Sequence, residues 1–321
     1  TNATRSREEE RASEREREMV VGGFRRSVSL PGGKPGWSPQ RGGAQQEKSY
    51  HVRSTSLPCR SHPLISLLED EVRTTRTWHS SSPAGPPSSP SAWLRSGLVR
   101  LELLHLALDD LLHLPQTRNS LLRSRRALPS GLADMLLDDF LCFVDAFGSF
   151  RAALVCAQEL QAAAQAAVRR RDGPRLASVA RSLRKAEKEV AGLALALRAM
   201  SASAELASEN TPADVVELAG VLREVKSVTV SASVAVFRGT AAALSSATAA
   251  VAAPSWSPSW AALRRRLGLK KKSEEGEEWV RRASERLEAL EEMAVGLESG
   301  SEKVFRSLIN TRVSLLNILT P

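Results

Sequence analysis

Apolar residues recur at helical spacing over most of the chain from residue 63 onward. Leu64, Leu67, Leu68 and Val72 predict a short helix over 63–78. Ser91 can cap a second, which carries Leu94, Leu98, Leu101, Leu104, Leu108, Leu111 and Leu112 and which Pro115 ends. A short basic turn of helix over 118–127 leads to a long one over about 131–171, with Leu132, Leu136, Phe140, Phe143, Phe147, Phe150 and Leu154 on one stripe. Asp172-Gly173-Pro174 must stop it, and another helix runs to about residue 208. Asn210, Thr211 and Pro212 start the next, which continues through a Val/Ala/Ser-rich stretch to Ala253. Two closing helices are expected at 276–298 and 301–319. Nothing reads as a strand, so the pattern predicts an all-α, multi-helix up-and-down bundle.

The polar segments divide the chain. Residues 1–62 are read as a disordered basic arm, because Gly-Gly pairs, prolines and charges leave too little apolar surface to offset the entropy of ordering. Residues 63–321 are read as the helical domain, with a Ser/Pro-rich linker at 80–91. Translation is expected to start at Met19, the first methionine. From Met19 to Leu68 the only acid is Glu47, a composition that suits a transit peptide and a regulatory arm equally. Residues 228–253 carry one charge, Arg238, and invite a membrane-spanning reading. Ala, Ser and Thr dominate the stretch, however, and an arginine at mid-span costs about 2.5–3.5 kcal/mol on insertion scales, so a buried core helix is expected.

Composition narrows the chemistry. Hydrophobic residues make up 42% of the 321 and charged residues 25%, which suits a folded domain. Aromatics are only 4%, with a single Tyr, arguing against a β-sandwich or a platform for stacking bases. The net charge of +9 favours acidic partners. Three cysteines are too few for a disulfide framework and point to a reducing, cytoplasmic setting, with membrane association, plastid and nucleus as alternatives. Cys142 and Cys156 fall in apolar helical runs, where a thiol behaves as a small hydrophobe.

No catalytic residue, metal ligand or cofactor site is expected. His105, Asp109 and His113 are successive i,i+4 neighbours on one helix, but they read as surface residues and would need a fourth ligand from elsewhere. Asp109-Asp110 and Asp138-Asp139 resemble the carboxylate pairs that hold Mg²⁺ in helical prenyl-transfer enzymes, yet the third carboxylate one turn on is missing. There is no Gly-rich phosphate loop, nucleophile elbow or local Cys–His signature, and no motif for sequence-specific nucleic acid binding.

Two stretches carry binding chemistry instead. In 256–272, Trp256, Trp260, Leu263 and Leu267 share a helical stripe, while Arg264, Arg265, Arg266, Lys270, Lys271 and Lys272 supply charge. That pattern fits a helix lying on an anionic membrane surface, a calmodulin target, a nuclear import signal, or a helix docked on the bundle. In the arm, residues 26–31 and 53–58 both spell R-S-x-S-x-P, the ligand pattern that 14-3-3 proteins prefer, with Ser29 and Ser56 as the phosphorylation candidates. A phosphate there adds about −1.5 to −2 charge and three acceptor oxygens for an arginine cluster. The two serines are 27 positions apart, which spans roughly 26–31 Å r.m.s., a reach that suits both grooves of a dimer. Arg312 falls within the apolar stripe of the last helix, where it has a structural role: either a facing carboxylate meets it or its head snorkels to solvent.

Three segments together resemble one family: YHVRSTSLPCRSHPL at 50–64, DMLLDDFLCFVDAFGSFR at 134–151 with Arg169-Arg170-Arg171 following, and SEKVFRSLINTRVSLLNIL at 301–319. They are similar to the plant-specific BYPASS-type family, over roughly residues 50–319. The chain departs from that pattern at Asp138, Asp139 and Phe140, where members usually have a Leu/Gly/Ser-rich version. The resemblance implies a non-enzymatic role in root and shoot development and in restraining a mobile root-derived signal, and it implies no catalytic residues.

Overall fold

Proline sets three of the helix starts. Helices α1 (Pro63–Ser80), α2 (Pro90–Leu112) and α3 (Pro115–Ala127) each begin on one, where its missing N–H is harmless because the first turn offers that group no acceptor. Four longer helices follow: α4 (Leu132–Arg170), α5 (Gly173–Ala199), α6 (Ala213–Val251) and α7 (Lys272–Leu319). The computed structural model describes residues 63–81, 90–127, 131–200, 213–252 and 272–320, all within the unit Ser54–Pro321. Every regular element among them is helical.

The turn from α4 to α5 needs only two residues. Arg171 adopts the left-handed conformation (φ 56°, ψ 36°), and the amides of Arg171 and Asp172 donate back to the carbonyls of Val168 and Ala167 at 3.1 and 3.0 Å. These bonds satisfy the last carbonyls of α4. Asp172 then caps α5, its Oδ1 accepting from the Arg175 amide at 3.1 Å, with Pro174 in the first turn.

Cross-helix contacts fix the directions. Leu94 lies against Gly239 and His105 against Thr229, so α2 and α6 are antiparallel. Asp139 meets Lys226 and Phe150 packs on Phe237, so α4 runs parallel to α6. Gln158 reaches Glu298 and Gln161 reaches Glu291, making α7 antiparallel to α4. Helices α2, α4, α5, α6 and α7 therefore alternate up and down, as the sequence pattern predicts. At one end α3 covers the bundle, with Arg125 donating to the Leu319 carbonyl at 3.3 Å. The α4–α5 turn lies at the other end.

Phenylalanine fills the centre. Phe147, Phe150 and Phe237 are fully buried, with ring centroids 4.5 Å apart for Phe150–Phe237 and 5.3 Å for Phe147–Phe237. Helix α6 passes through this core with Thr229, Ser233, Thr240 and Thr248 buried. Thr240 and Thr248 donate to the carbonyls four residues back, at 3.0 and 2.8 Å, so their hydroxyls are satisfied without leaving the helix. Arg238 is exposed, and α6 is a core helix. Both α4 and α6 are long and apolar enough to cross a membrane by composition, and much of each apolar window is covered by neighbouring helices here.

Several expectations are corrected. The closing segments 276–298 and 301–319 form one helix, α7, continuous through Gly300. That glycine is retained for closeness: a Cβ there would sit 3.0 Å from Leu98 Cδ1. Pro115 opens α3 as well as following α2, and α2 begins at Pro90, ahead of Ser91. Helix α5 is described as far as Ala199, and the remainder of the stretch expected to reach about 208 lies outside the described residues. Cys142 and Cys156 are both exposed, because they lie off the phenylalanine stripe of α4.

Candidate functional site

Polar side chains inside the bundle mark the places where chemistry could occur. On α2, His105 is fully buried, its Nε2 3.3 Å from the Thr229 hydroxyl and its ring edge-on to Phe140 at 5.7 Å. Burial lowers its pKa to about 3, so the imidazole is neutral at pH 7. Its Nδ1 is buried with no hydrogen-bond partner. His105 is thus a core residue and not a surface one, and it does not share a face with His113, whose side chain is 66% exposed.

One turn from Thr229, Lys226 Nζ lies 2.8 Å from Asp139 Oδ1. Both groups line a cavity of about 10 Å³ with Phe140, Phe143 and Leu108, room for at most one water and far too small for a substrate. Asp138, its neighbour in sequence, points out to solvent. The Asp109-Asp110 pair divides in the same way: Asp109 accepts from the Ser314 hydroxyl at 2.7 Å, and Asp110 is exposed. Successive residues on a helix point about 100° apart, so in each pair only one carboxylate can face a neighbouring helix.

Other charged groups also join helices. Asp214, in the first turn of α6, accepts from Ser120 at 2.8 Å and pairs with Arg123, which ties α3 to α6. Arg151 of α4 pairs with Glu302 of α7 and lies over the Phe305 ring at 5.0 Å. Lys303 approaches Glu102 at 3.8 Å. Arg312 is half-buried, its Nε lacks a hydrogen-bond partner, and no carboxylate among the described residues pairs with it.

A shallow cleft of about 480 Å³ opens between α4 and α5, lined by Ser149, Ala152, Cys156, Glu189 and Leu193. Burial, with Glu159 and Glu189 beside it, raises the Cys156 thiol above its ordinary pKa, opposite to what a nucleophile needs. Basic residues collect at the α4–α5 turn, where Arg169, Arg170, Arg171 and Arg175 are all exposed. Arg169, Arg170 and Arg175 have no side-chain carboxylate partner among the described residues.

The binding candidates lie elsewhere. Ser29, Ser56, and the segment from Trp256 to Lys271 are outside the described residues, and Lys272 is the first residue of α7. The features missed in the sequence are pairings across the bundle, such as Lys226 with Asp139 at 87 residues' separation. No local signal carried them.

No curated protein and no solved structure matches the chain. One family model, described as Protein BPS1, matches residues 97–318. The match runs from the second turn of α2 to the last turn of α7, through the Arg123–Asp214, Asp139–Lys226 and Asp109–Ser314 links. Two of the three motifs, 134–151 and 301–319, fall wholly or almost wholly within it, and 50–64 lies outside. The match covers more than half of the chain and most of the helical bundle, and this chain belongs to the Protein BPS1 family.

Proposed function

We propose that this protein is a non-enzymatic regulator of plant root and shoot development, acting in the cytoplasm through protein–protein contacts. Membership of the Protein BPS1 family, a plant developmental regulator family, carries the reading. The inward carboxylates support it: Asp109, Asp139 and Asp214 are engaged in holding helices together. The contacts proposed are with a 14-3-3-type phosphoserine-binding dimer, through Ser29 and Ser56 in the arm. Disrupting the gene is expected to alter root and shoot growth, and unaltered growth refutes the developmental role. Binding of the full chain to a 14-3-3 dimer is expected only after phosphorylation, and more tightly with both serines modified than with one. Equal affinity before and after phosphorylation refutes the partner.

A second reading has the basic segment 256–272 on an anionic membrane surface, and the single stripe formed by Trp256, Trp260, Leu263 and Leu267 favours it. Neutralising Lys270, Lys271 and Lys272 is then expected to release the protein from membranes on fractionation, and unchanged association refutes that reading.

A further inference from the structure

We infer that Ser284 is a phosphorylation site and that Arg169 receives its phosphate across the seam between α4 and α7. Arg281-Arg282-Ala283-Ser284 is the single R-R-x-S sequence in the chain. Arginines two and three residues before a serine are what basophilic kinases select, because carboxylates along the substrate cleft pair with both guanidinium groups. Arg281 and Arg282 are exposed, and their pairs with Glu285 at 3.9 Å and with Glu278 lie along the helix surface, where such bonds are weak and readily exchanged. The kinase moves the γ-phosphoryl group of ATP to Ser284 Oγ. The Oγ–P bond forms, the bond from that phosphorus to the β-phosphate oxygen breaks, ADP leaves, and the hydroxyl proton passes to the catalytic carboxylate of the kinase.

The register supplies the acceptor. Arg151 of α4 pairs with Glu302 of α7, and Gln161 meets Glu291 farther along the same seam at 2.9 Å. Arg169 lies 18 residues after Arg151, and Ser284 lies 18 residues before Glu302. Eighteen residues make five helical turns, so both positions return to the faces that carry the Arg151–Glu302 pair, about 27 Å along the two antiparallel helices. From Gln161 and Glu291 the interval is only eight residues on α4 and seven on α7, about two turns. Val168 and Leu287 are fully buried near that level, so the bundle is still closed there. Arg169 is exposed, Ser284 is half-buried, and no carboxylate among the described residues pairs with Arg169. A phosphate on Ser284 therefore takes the place that Glu302 takes five turns away, with about −1.5 to −2 charge and three acceptor oxygens. Arg281 and Glu288 flank Ser284 one turn away on α7 and offset each other, which leaves Arg169 to decide the outcome.

The consequence falls on the first turns of α7. By the same register α4 ends level with about residue 283, so residues 272–282 run on past it for about 16 Å. Ahead of Leu287, Ala283 is the only fully buried side chain described on α7, with Trp279 and Val280 partly covered. A helix end held by so little burial opens locally, which offers a kinase the extended backbone it needs over 281–285. Once added, the phosphate ties that end to α4, so modification shifts α7 from an opening start to a closed one.

This inference rests on neither the arm nor the segment 256–272, and Ser29→Ala and Ser56→Ala are carried in every protein tested so that the arm takes no part. The full chain is incubated with MgATP and an R-R-x-S-directed serine kinase, and phosphate is located by mass spectrometry of proteolytic peptides. Ser284 is expected to be modified, and Arg281→Gln with Arg282→Gln should slow that reaction on the order of ten-fold. Amide hydrogen exchange over 276–290 is then compared before and after modification. Protection should rise about five- to ten-fold in the parent and less than about two-fold in Arg169→Gln, and the parent's gain should shrink with added salt. Before modification the two proteins should exchange alike and give the same circular dichroism, since an uncharged serine gives Arg169 nothing to meet. No phosphate at Ser284 in the parent overturns the site. Phosphate at Ser284 with unchanged protection, or with an equal gain in Arg169→Gln, overturns Arg169 as its acceptor.

Discussion

Acidification should destabilise this bundle through one residue. His105 has an ordinary pKa of 6.5 and, in the fold, one of about 3, because burial excludes its charged form. The folded value lies below the unfolded one, so as pH falls the unfolded chain takes up the proton first. The stability is complete above pH 6.5 and declines as pH drops toward 3. At pH 5 the unfolded imidazole is almost fully protonated and the folded one still neutral, which costs about 2 kcal/mol relative to pH 7. For a domain of this size that is about 4–8 °C in melting temperature. The assay is thermal or urea unfolding at pH 7 and pH 5 for the parent and for His105→Leu. In the variant the Thr229 hydroxyl is free to bond within its own helix, so its stability at pH 7 should stay within about 1.5 kcal/mol of the parent's. Exposed His79 and His113 are common to both proteins and cancel in the difference. Identical losses between pH 7 and pH 5 in parent and variant would refute the reasoning.

Packing and pairing give further tests. A Cβ at Gly97 would lie 2.3 Å from a Trp78 ring carbon, and that ring is held by stacking on Trp93 at 4.4 Å, so Gly97→Ala should cost roughly 1–3 kcal/mol in urea unfolding. Gly192→Ala, with nothing within 4 Å of the added carbon, should instead raise stability by about 0.5–1 kcal/mol. Asp139→Asn leaves the Lys226 ammonium largely buried without its carboxylate and should cost roughly 1–3 kcal/mol, whereas Asp138→Asn should be neutral within about 0.5 kcal/mol. Restored stability in an Asp139→Leu, Lys226→Met double variant, seen in the same melts, would show that the cost is the unpaired charge. Phe237→Ala, emptying the centre of the phenylalanine cluster, should cost about 3–5 kcal/mol by calorimetry.

The helices themselves were legible from periodicity and punctuation. The stripe Leu132–Leu154 marks the buried face of α4, Pro115 marks the end of α2, and Asp172-Gly173-Pro174 marks the tightest turn. These are short-range effects, set by neighbours three or four residues away or by the backbone of one residue. The family was legible too, because the quoted motifs at 134–151 and 301–319 sit on helices whose faces are constrained by packing. Tertiary structure alone decided the rest. Whether Ser299-Gly300-Ser301 breaks a helix depends on Leu98 of α2 resting on Gly300, a contact 202 residues away in sequence. Which aspartate of each pair turns inward depends on where Lys226 and Ser314 arrive from other helices. His105 reads as one of three polar neighbours on α2 until α6 and α4 close over it and take its charge away. Periodicity fixes the face a residue occupies, but the partner on that face, and hence its charge and chemistry, comes from chain that is remote in sequence.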